Sequence, residues 1–530
     1  MSLLSFLFLP YLALVAGVHY ALPRKYRYIW ICAASLFFYL SGDARFVLGL
    51  AFCTGITYLA GLLLDREGTG AFQTGSAASP AGTGASQTGS AASPAGTGAS
   101  QAGKEAFSAG TGASQAGSAA SPARAGAFRS GETFFPGGRA AKGILAACVT
   151  LLILALFLFR YPWSKSPFVP LGISFYALQA MGYVVEVYRG HVRAERNLVR
   201  YAAYVSFFPT VMSGPIQRAQ GLLAQLREGR AFDYARAHSG LYLLLWGYLL
   251  KFAVANPLGG MVDFAYGNYG DMPGATLLWA TILYAVQLYC DFAGYSALAV
   301  GAARILGFDL AGNFAQPYFE PSVQAFWKRW HISLSSWLRD YVYIPLGGNR
   351  KGKLRKCANL MLTFLVSGLW HGAGFNYLVW GGIHGLYQVL GSCMPKRDVR
   401  GGAVRRVLRA VVTFALVDFA WLFFRADSLS QAFTILHRII FRFQFKEMTY
   451  YGSYLMGRSK LELALLLAGI ILVFLVDFLH EKKLSIEELA ARKLPTVVRW
   501  ALYIALTMGL LLVILREYGQ AASNFIYTRF

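Results

Sequence analysis

Residues Ser367 to Gly385 read SGLWHGAGFNYLVWGGIHG, and the rest of the chain is arranged around them. The stretch is apolar, rich in glycine and free of formal charge, yet it holds two histidines, His371 and His384. An ionisable side chain is costly in a membrane-grade sequence, so it marks a pathway or a reactive site. The glycines allow helices to approach closely, as small residues do in membrane bundles. Just upstream, FWKRWHISLSSWLRDYVYIPLGGNRKGK (Phe326–Lys353) adds His331 in an aromatic and basic setting. This pattern predicts an all-α, polytopic helical bundle in which His371 performs chemistry on two substrates brought to it.

Composition supports the membrane reading. The chain has 530 residues, 56% of them hydrophobic, and a mean hydropathy of +0.45. Several apolar runs reach or approach the ~20 residues needed to span a bilayer. The net charge of +24 lies in short clusters between apolar runs. That suits cytoplasmic loops and anionic headgroups, with the lipid bilayer as partner, and argues against nucleic acid. The six cysteines (Cys32, Cys53, Cys148, Cys290, Cys357 and Cys393) have no metal-ligand spacing and read as small hydrophobes. No metal site is expected.

In chain order, spans are expected at about 3–22, 28–39, 46–64, 144–159 and 168–188, then at 239–256 and 275–302. Two passes follow in the His371 region, and then 407–424, 461–479 and 497–515; about eleven spans are expected, to within one or two. The first span is read as retained, because no basic segment precedes it. With PRKYR (Pro23–Arg27) cytoplasmic, the N-terminus is extracytoplasmic and the protein sits in the plasma or inner membrane. The expected division is residues 1–64 as N-terminal spans, 65–142 as a disordered loop, 143–425 as the catalytic core and 426–530 as a C-terminal segment. The loop carries an imperfect repeat of Gly, Ala, Ser, Thr and Pro that lacks surface to bury. AAYVSFFPTVMSGPIQ (Ala202–Gln217) is broken by Pro209, Gly214 and Pro215. Such backbone at membrane depth is tolerated only inside protein or beside a water-filled cavity, and a re-entrant or interrupted element lining such a cavity is expected. Phe326–Tyr343 is expected to be one interfacial helix with Trp327, Trp330 and Trp337 as interface anchors. GGNRKGKLRK and KRDVRGGAVRR, both basic, flank an apolar segment that must go out and come back, bending near Gly372–Gly374.

A histidine can take a proton from a hydroxyl and return it to a leaving group. Acyl transfer fits such a residue without a metal or a serine nucleophile. No G-x-S-x-G elbow or H-E-x-x-H pair is present. His371 is the leading candidate, His331 the second, and His384 reads as a satisfied packing residue. Trp370 and Asn376 are candidate supporting residues in the same motif. Asp291, in QLYCDFAGYS, either orients a histidine, pairs with a basic residue or makes structural hydrogen bonds. Lys328, Arg329 and Arg350 are candidates for attracting donor phosphates, and they also fit the ordinary positive-inside pattern.

The paired motifs RWHISLS and LWHG closely resemble the membrane-bound O-acyltransferase family. PLGISFYALQAMGYVVEVYRG, SFFPTVMSGPIQR, QLYCDFAGYS, WLFFRADSLSQA and the terminal FIYTRF agree with it. The resemblance implies that His371 is the catalytic histidine and His331 a second important position. IPLGGNRKG and the chain length look more like the alginate O-acetylation branch than the D-alanyl transferases of teichoic acid. That branch implies an acetyl-CoA or other acyl thioester donor and a polysaccharide acceptor, reached with an extracytoplasmic partner protein. Two departures stand out: Ala297 and Ala325 occupy positions where related sequences commonly carry an acid. D-alanyl transfer, acylation of a lipid or protein, and a non-catalytic polysaccharide export component are the alternatives. The export reading expects two related halves with interrupted helices, and no second copy of the 367–385 pattern occurs.

Overall fold

The computed structural model describes residues 2–5, 7–75, 138–160, 170–394, 402–450, 453–484 and 486–518. The first helices are α1 (Phe8–Ala21), α2 (Arg27–Leu40), α3 (Phe46–Gly75), α4 (Arg139–Arg160) and α5 (Ile173–Tyr188). Then come the short α6 (Leu198–Val205), α7 (Phe208–Val211) and α8 (Ala219–Glu228). The helix α9 (Tyr234–Tyr248) runs through a π-helical stretch, Leu249–Ala255, into α10 (Asn256–Gly267), and α11 is Gly274–Ile305. The central motifs form α12 (Val323–Arg329), α13 (Ile332–Leu338), α14 (Gly352–His371) and α15 (Phe375–Cys393). The chain closes with α16 (Ala403–Arg425), α17 (Leu429–Phe441), α18 (Phe445–Tyr450), α19 (Lys460–Glu481), α20 (Ile486–Lys493) and α21 (Thr496–Tyr518). The described residues contain no strand, and the chain is a multi-pass helical membrane protein.

Among the described residues, seven helical stretches are long and apolar enough to cross a membrane. They are Phe46–Glu67, Arg139–Phe159, Tyr234–Gly267, Gly274–Ile305, Ala403–Arg425, Lys460–Glu481 and Thr496–Ile514. The sequence count of about eleven also takes in α1, α2, α5 and the α14–α15 pair, which are shorter or more polar. Thus α1 and α2 have 14 residues each. Nearly every residue of α5 is buried. The first turns of α14 carry Lys353, Arg355 and Lys356. Asp65 to Gly75, expected in the loop, continue α3, and residues 76–137 of that loop lie outside the described residues, as does FIYTRF.

Close glycine contacts set the helix pairs. In α9 and α11, Gly240 meets Gly301 and Gly247 meets Gly294, each too close for a Cβ. The order of contacts makes the pair antiparallel, and the next one along is an ion pair, Lys251 Nζ to Asp291 Oδ1 at 2.5 Å. In α14 and α15, a Cβ on Gly368 would collide with the Tyr377 carbonyl, and one on Gly381 with that of Phe364. The turn between these two helices falls at residues 372–374, where the bend was expected. The interruption expected in the 202–217 segment is present between α6, α7 and α8, and residues 203–217 are buried throughout, enclosed by protein. Side chains accept from three of its N–H groups, as burial favours. Phe208 N–H donates to Ser35 Oγ (3.1 Å), Ile216 N–H to Ser333 Oγ (3.0 Å) and Gln217 N–H to Gln179 Oε1 (3.2 Å).

The single interfacial helix expected over Phe326–Tyr343 is not what forms. It breaks at Trp330–His331 into α12 and α13, followed by a π-helical turn at Arg339–Tyr343. Trp327, Trp330 and Trp337 are buried rather than interfacial, at 8, 2 and 6% exposure. Helical spacing identifies an apolar face but not its neighbour, and here that neighbour is the protein core.

Candidate active site

His371 is the last residue of α14, and its ring is buried at 3% exposure. It lies edge-on to Trp370 (4.7 Å between centroids), Trp380 (5.1 Å) and Phe424 (5.1 Å). One residue beyond Gly372 the backbone surfaces: Ala373, Gly374 and Phe375 are exposed. The imidazole therefore sits immediately beneath a tight turn at the end of the α14–α15 hairpin.

His331 joins α12 to α13 in a left-handed conformation, with φ 44° and ψ 54°. Such a conformation is uncommon outside glycine and is held by its surroundings. Asn313 does the holding. Its carbonyl accepts from Ile332 N–H (2.9 Å), its Oδ1 accepts from Ser333 N–H (3.1 Å), and its Nδ2 donates to Ser296 Oγ (3.2 Å). The His331 ring is 1% exposed, edge-on to Phe292 at 4.5 Å and 6.0 Å from Trp370. Burial pushes its pKa down to about 3, so the ring is neutral at physiological pH.

Trp370 thus touches both His331 and His371, while its indole N–H donates to the Ser174 carbonyl (3.3 Å). On the other side, Trp380 touches both His371 and His384 (5.1 Å each). Three histidines are strung through two tryptophans. His384 is fully buried, and Trp327 Nε1–H donates to its Nδ1 at 3.2 Å. A neutral imidazole that accepts at Nδ1 must carry its proton on Nε2.

The remaining candidates divide. Asp291 pairs with Lys251 inside the bundle. Asn376 Nδ2 donates to the Ala426 (2.8 Å) and Phe423 (3.4 Å) carbonyls, which ties α15 to the end of α16. Arg329 is held by Glu320 and Glu481, each at 2.5 Å, and Glu481 also binds Arg406. That engagement makes Arg329 a clamp between segments rather than an open phosphate ligand. Lys328 and Arg350 are exposed. Sequence reading missed Lys251, although one lysine in the apolar run LYLLLWGYLLKFAVA signals a buried partner of opposite charge.

Two helices measure where the site lies. The 20 residues of α14 run from the basic loop at Gly352 to His371, about 28 Å at ~1.5 Å per residue. Along α16, Arg406 and Phe424 are separated by roughly 27 Å on the same arithmetic. His371 is therefore close to a hydrocarbon thickness from both basic ends.

Residues 186–396 match the model of the membrane-bound O-acyltransferase family. Over that stretch the chain is similar to the membrane-bound O-acyltransferase family. His331, His371 and His384 all fall within the matched residues, as do Lys251 and Asp291. A probable alginate O-acetylase of Pseudomonas aeruginosa is 40% identical over 267 residues, 50% of each chain. A peptidoglycan O-acetyltransferase of Helicobacter pylori is 31% identical over 302 residues, covering 51% of this chain and 57% of its own. A teichoic acid D-alanyltransferase of Bacillus subtilis is 28% identical over 278 residues, covering 48% of this chain and 68% of its own. The chain thus spans about half the length of the alginate relatives it matches. Likeness to the alginate proteins exceeds that to the D-alanyltransferases over similar spans, in keeping with the branch that the motifs suggested.

Proposed function

We propose that the protein is an O-acyltransferase that moves an acyl group, in the first instance acetyl, to hydroxyls of an exported cell-surface polysaccharide. The observation that carries this reading is the position of His371. It is a buried imidazole under an exposed turn, one membrane thickness away from the basic loops, within the stretch that matches the family. Placing the basic loops in the cytoplasm puts His371 near the outer face, where an exported polymer is met.

His371 acts as general base. It takes the proton of an acceptor hydroxyl as the oxygen attacks the thioester carbonyl. The tetrahedral intermediate then collapses, the C–S bond breaks, and the imidazolium returns its proton to the leaving thiolate. The acyl donor is acetyl-CoA or another acyl thioester. Lys328 and Arg350 remain as donor-side charges, and Arg350, which precedes α14, stands too far from the His371 end of that helix to touch the group reacting there. Neutral His331 and Trp370 shape the wall behind the reacting carbonyl. Entry requires the turn at 372–374 or the half-buried Trp370 to give way, because the ring is covered. An extracytoplasmic partner protein delivers the polymer.

Replacing His371 with Ala lowers polysaccharide O-acetylation by at least ~100-fold, the lower range for a lost general base, with normal protein in the membrane. Mass analysis of surface glycans reads the outcome, and retained acetylation refutes the assignment. D-alanyl transfer is separated by the mass of the ester found. The export reading expects intramembrane acids along a path; Asp291 is held by Lys251, and Asp477 accepts from Tyr289 Oη at 2.7 Å.

A further inference from the structure

We propose that a groove between α1, α9 and α21, remote from the histidines, is a binding site for a membrane glycerophospholipid, with one acyl chain lying along it. The groove is a cavity of about 540 Å³. One wall runs from His238 to Phe252 and the other from Trp500 to Ile514, with Leu4 and Leu9 of the α1 region alongside. Each wall spans 15 residues, or roughly 21 Å from end to end at ~1.5 Å per step. That is longer than the ~15 Å half of a hydrocarbon core, so an extended chain fits lengthwise.

Both walls belong to apolar stretches long enough to cross a membrane, so lipid chains are the surrounding medium. α21 is held off the bundle along most of its length, and only 6% of its spanning window is buried. Tyr242 and Tyr503 pin one end through hydroxyls 2.6 Å apart, while contact with the π-helical stretch closes the other. Leu9, Leu241 and Trp500 are exposed, at 45, 57 and 60%, so the groove opens sideways to the bilayer.

The ends differ as the ends of an amphiphile do. His238, stacked on Tyr234 and edge-on to Tyr242, together with Trp500, marks a headgroup-level belt. Basic residues gather beside that end. Arg27 donates to the Arg230 carbonyl, and Arg230 and Arg236 share the one carboxylate of Asp309. Asp233 also lies there, accepting from the Arg236 backbone N–H. Three guanidinium groups (Arg27, Arg230 and Arg236) thus stand against two acids and leave net positive charge where a lipid phosphate would lie. At the deep end Phe252, Leu511 and Ile514 offer hydrocarbon alone.

The test uses the full chain purified in mild detergent and examined by native mass spectrometry. Palmitoyl-oleoyl-phosphatidylglycerol is supplied as the probe after delipidation. The wild type is expected to retain a single phospholipid and to rebind the probe. Leu245→Trp with Leu511→Trp fills the groove and should lower rebinding at least about tenfold, with an unchanged helical spectrum and elution. Leu511→Phe alone, on the loosely packed α21, is the milder variant should the double one misfold, and it should weaken rebinding in the same direction. No retained or rebound phospholipid in the wild type, bound detergent that the probe fails to displace, or equal rebinding by the filled variants overturns the proposal.

Discussion

At the scale of single residues, His331 separates backbone from ring. Its left-handed conformation suits glycine, so His331→Gly relieves the backbone while deleting the imidazole. His331→Ala deletes the ring and keeps the conformational cost, of order 1–2 kcal/mol for a residue with a Cβ. Thermal unfolding in detergent should rank glycine as the more stable of the two. Equal loss of acetylation in both would assign the defect to the ring; activity that follows stability instead would make His331 purely structural. The buried neutral ring also leaves a pH signature. Its folded pKa, about 3, lies below the unfolded value of ~6.5. The unfolded chain therefore binds the proton first, and stability falls as pH drops from ~6.5 toward 3, by up to ~1.4 kcal/mol per unit. Unfolding midpoints at pH 7 and 5 should draw closer together in His331→Phe than in the wild type. Trp327→Phe removes the donor to His384 Nδ1 and should cost about 1 kcal/mol.

At the scale of elements, the Lys251–Asp291 pair offers the sharpest contrast. Both side chains are almost fully buried, so Lys251→Met removes the counter-charge from a buried carboxylate and should destabilise by about 3–5 kcal/mol. Lys251→Met combined with Asp291→Leu removes both charges and should recover most of that loss, as a double-mutant cycle would show. A double variant no better than the single would mean that the pair is not acting as a pair. Much at this scale was legible in the sequence. The α14–α15 turn followed from a glycine cluster between two basic ends, and the interruption of the 202–217 segment from Pro209, Gly214 and Pro215. The break at His331 was not legible, because the clamp that imposes it, Asn313, lies outside the helical pattern that Phe326–Tyr343 displays. Burial of Trp330 was hidden for a related reason. Its neighbours Tyr289, Phe314 and Trp421 come from elements distant in the chain.

At the scale of the whole molecule, charge and chemistry stand at opposite ends of the same helices. α14 begins among Lys351, Lys353 and Arg355 and ends at His371; α16 begins among Arg405 and Arg406 and ends beside His371. Motif spacing supplied the histidines, and only the packing of these two helices shows that they share one distant end. If basic residues mark the cytoplasmic side, Arg350 and the 373–375 turn face opposite compartments. A single cysteine at exposed Lys351, in a background lacking the six native cysteines, should then react with an impermeant maleimide only after the membrane is opened. Ala373→Cys should react in intact cells, because its backbone surfaces beside the reactive ring. Labelling of both positions from outside would break the link between basic loops and cytoplasm. Labelling of neither would place the turn within the lipid, and an exported acceptor would then need a path down to His371 rather than a mouth above it.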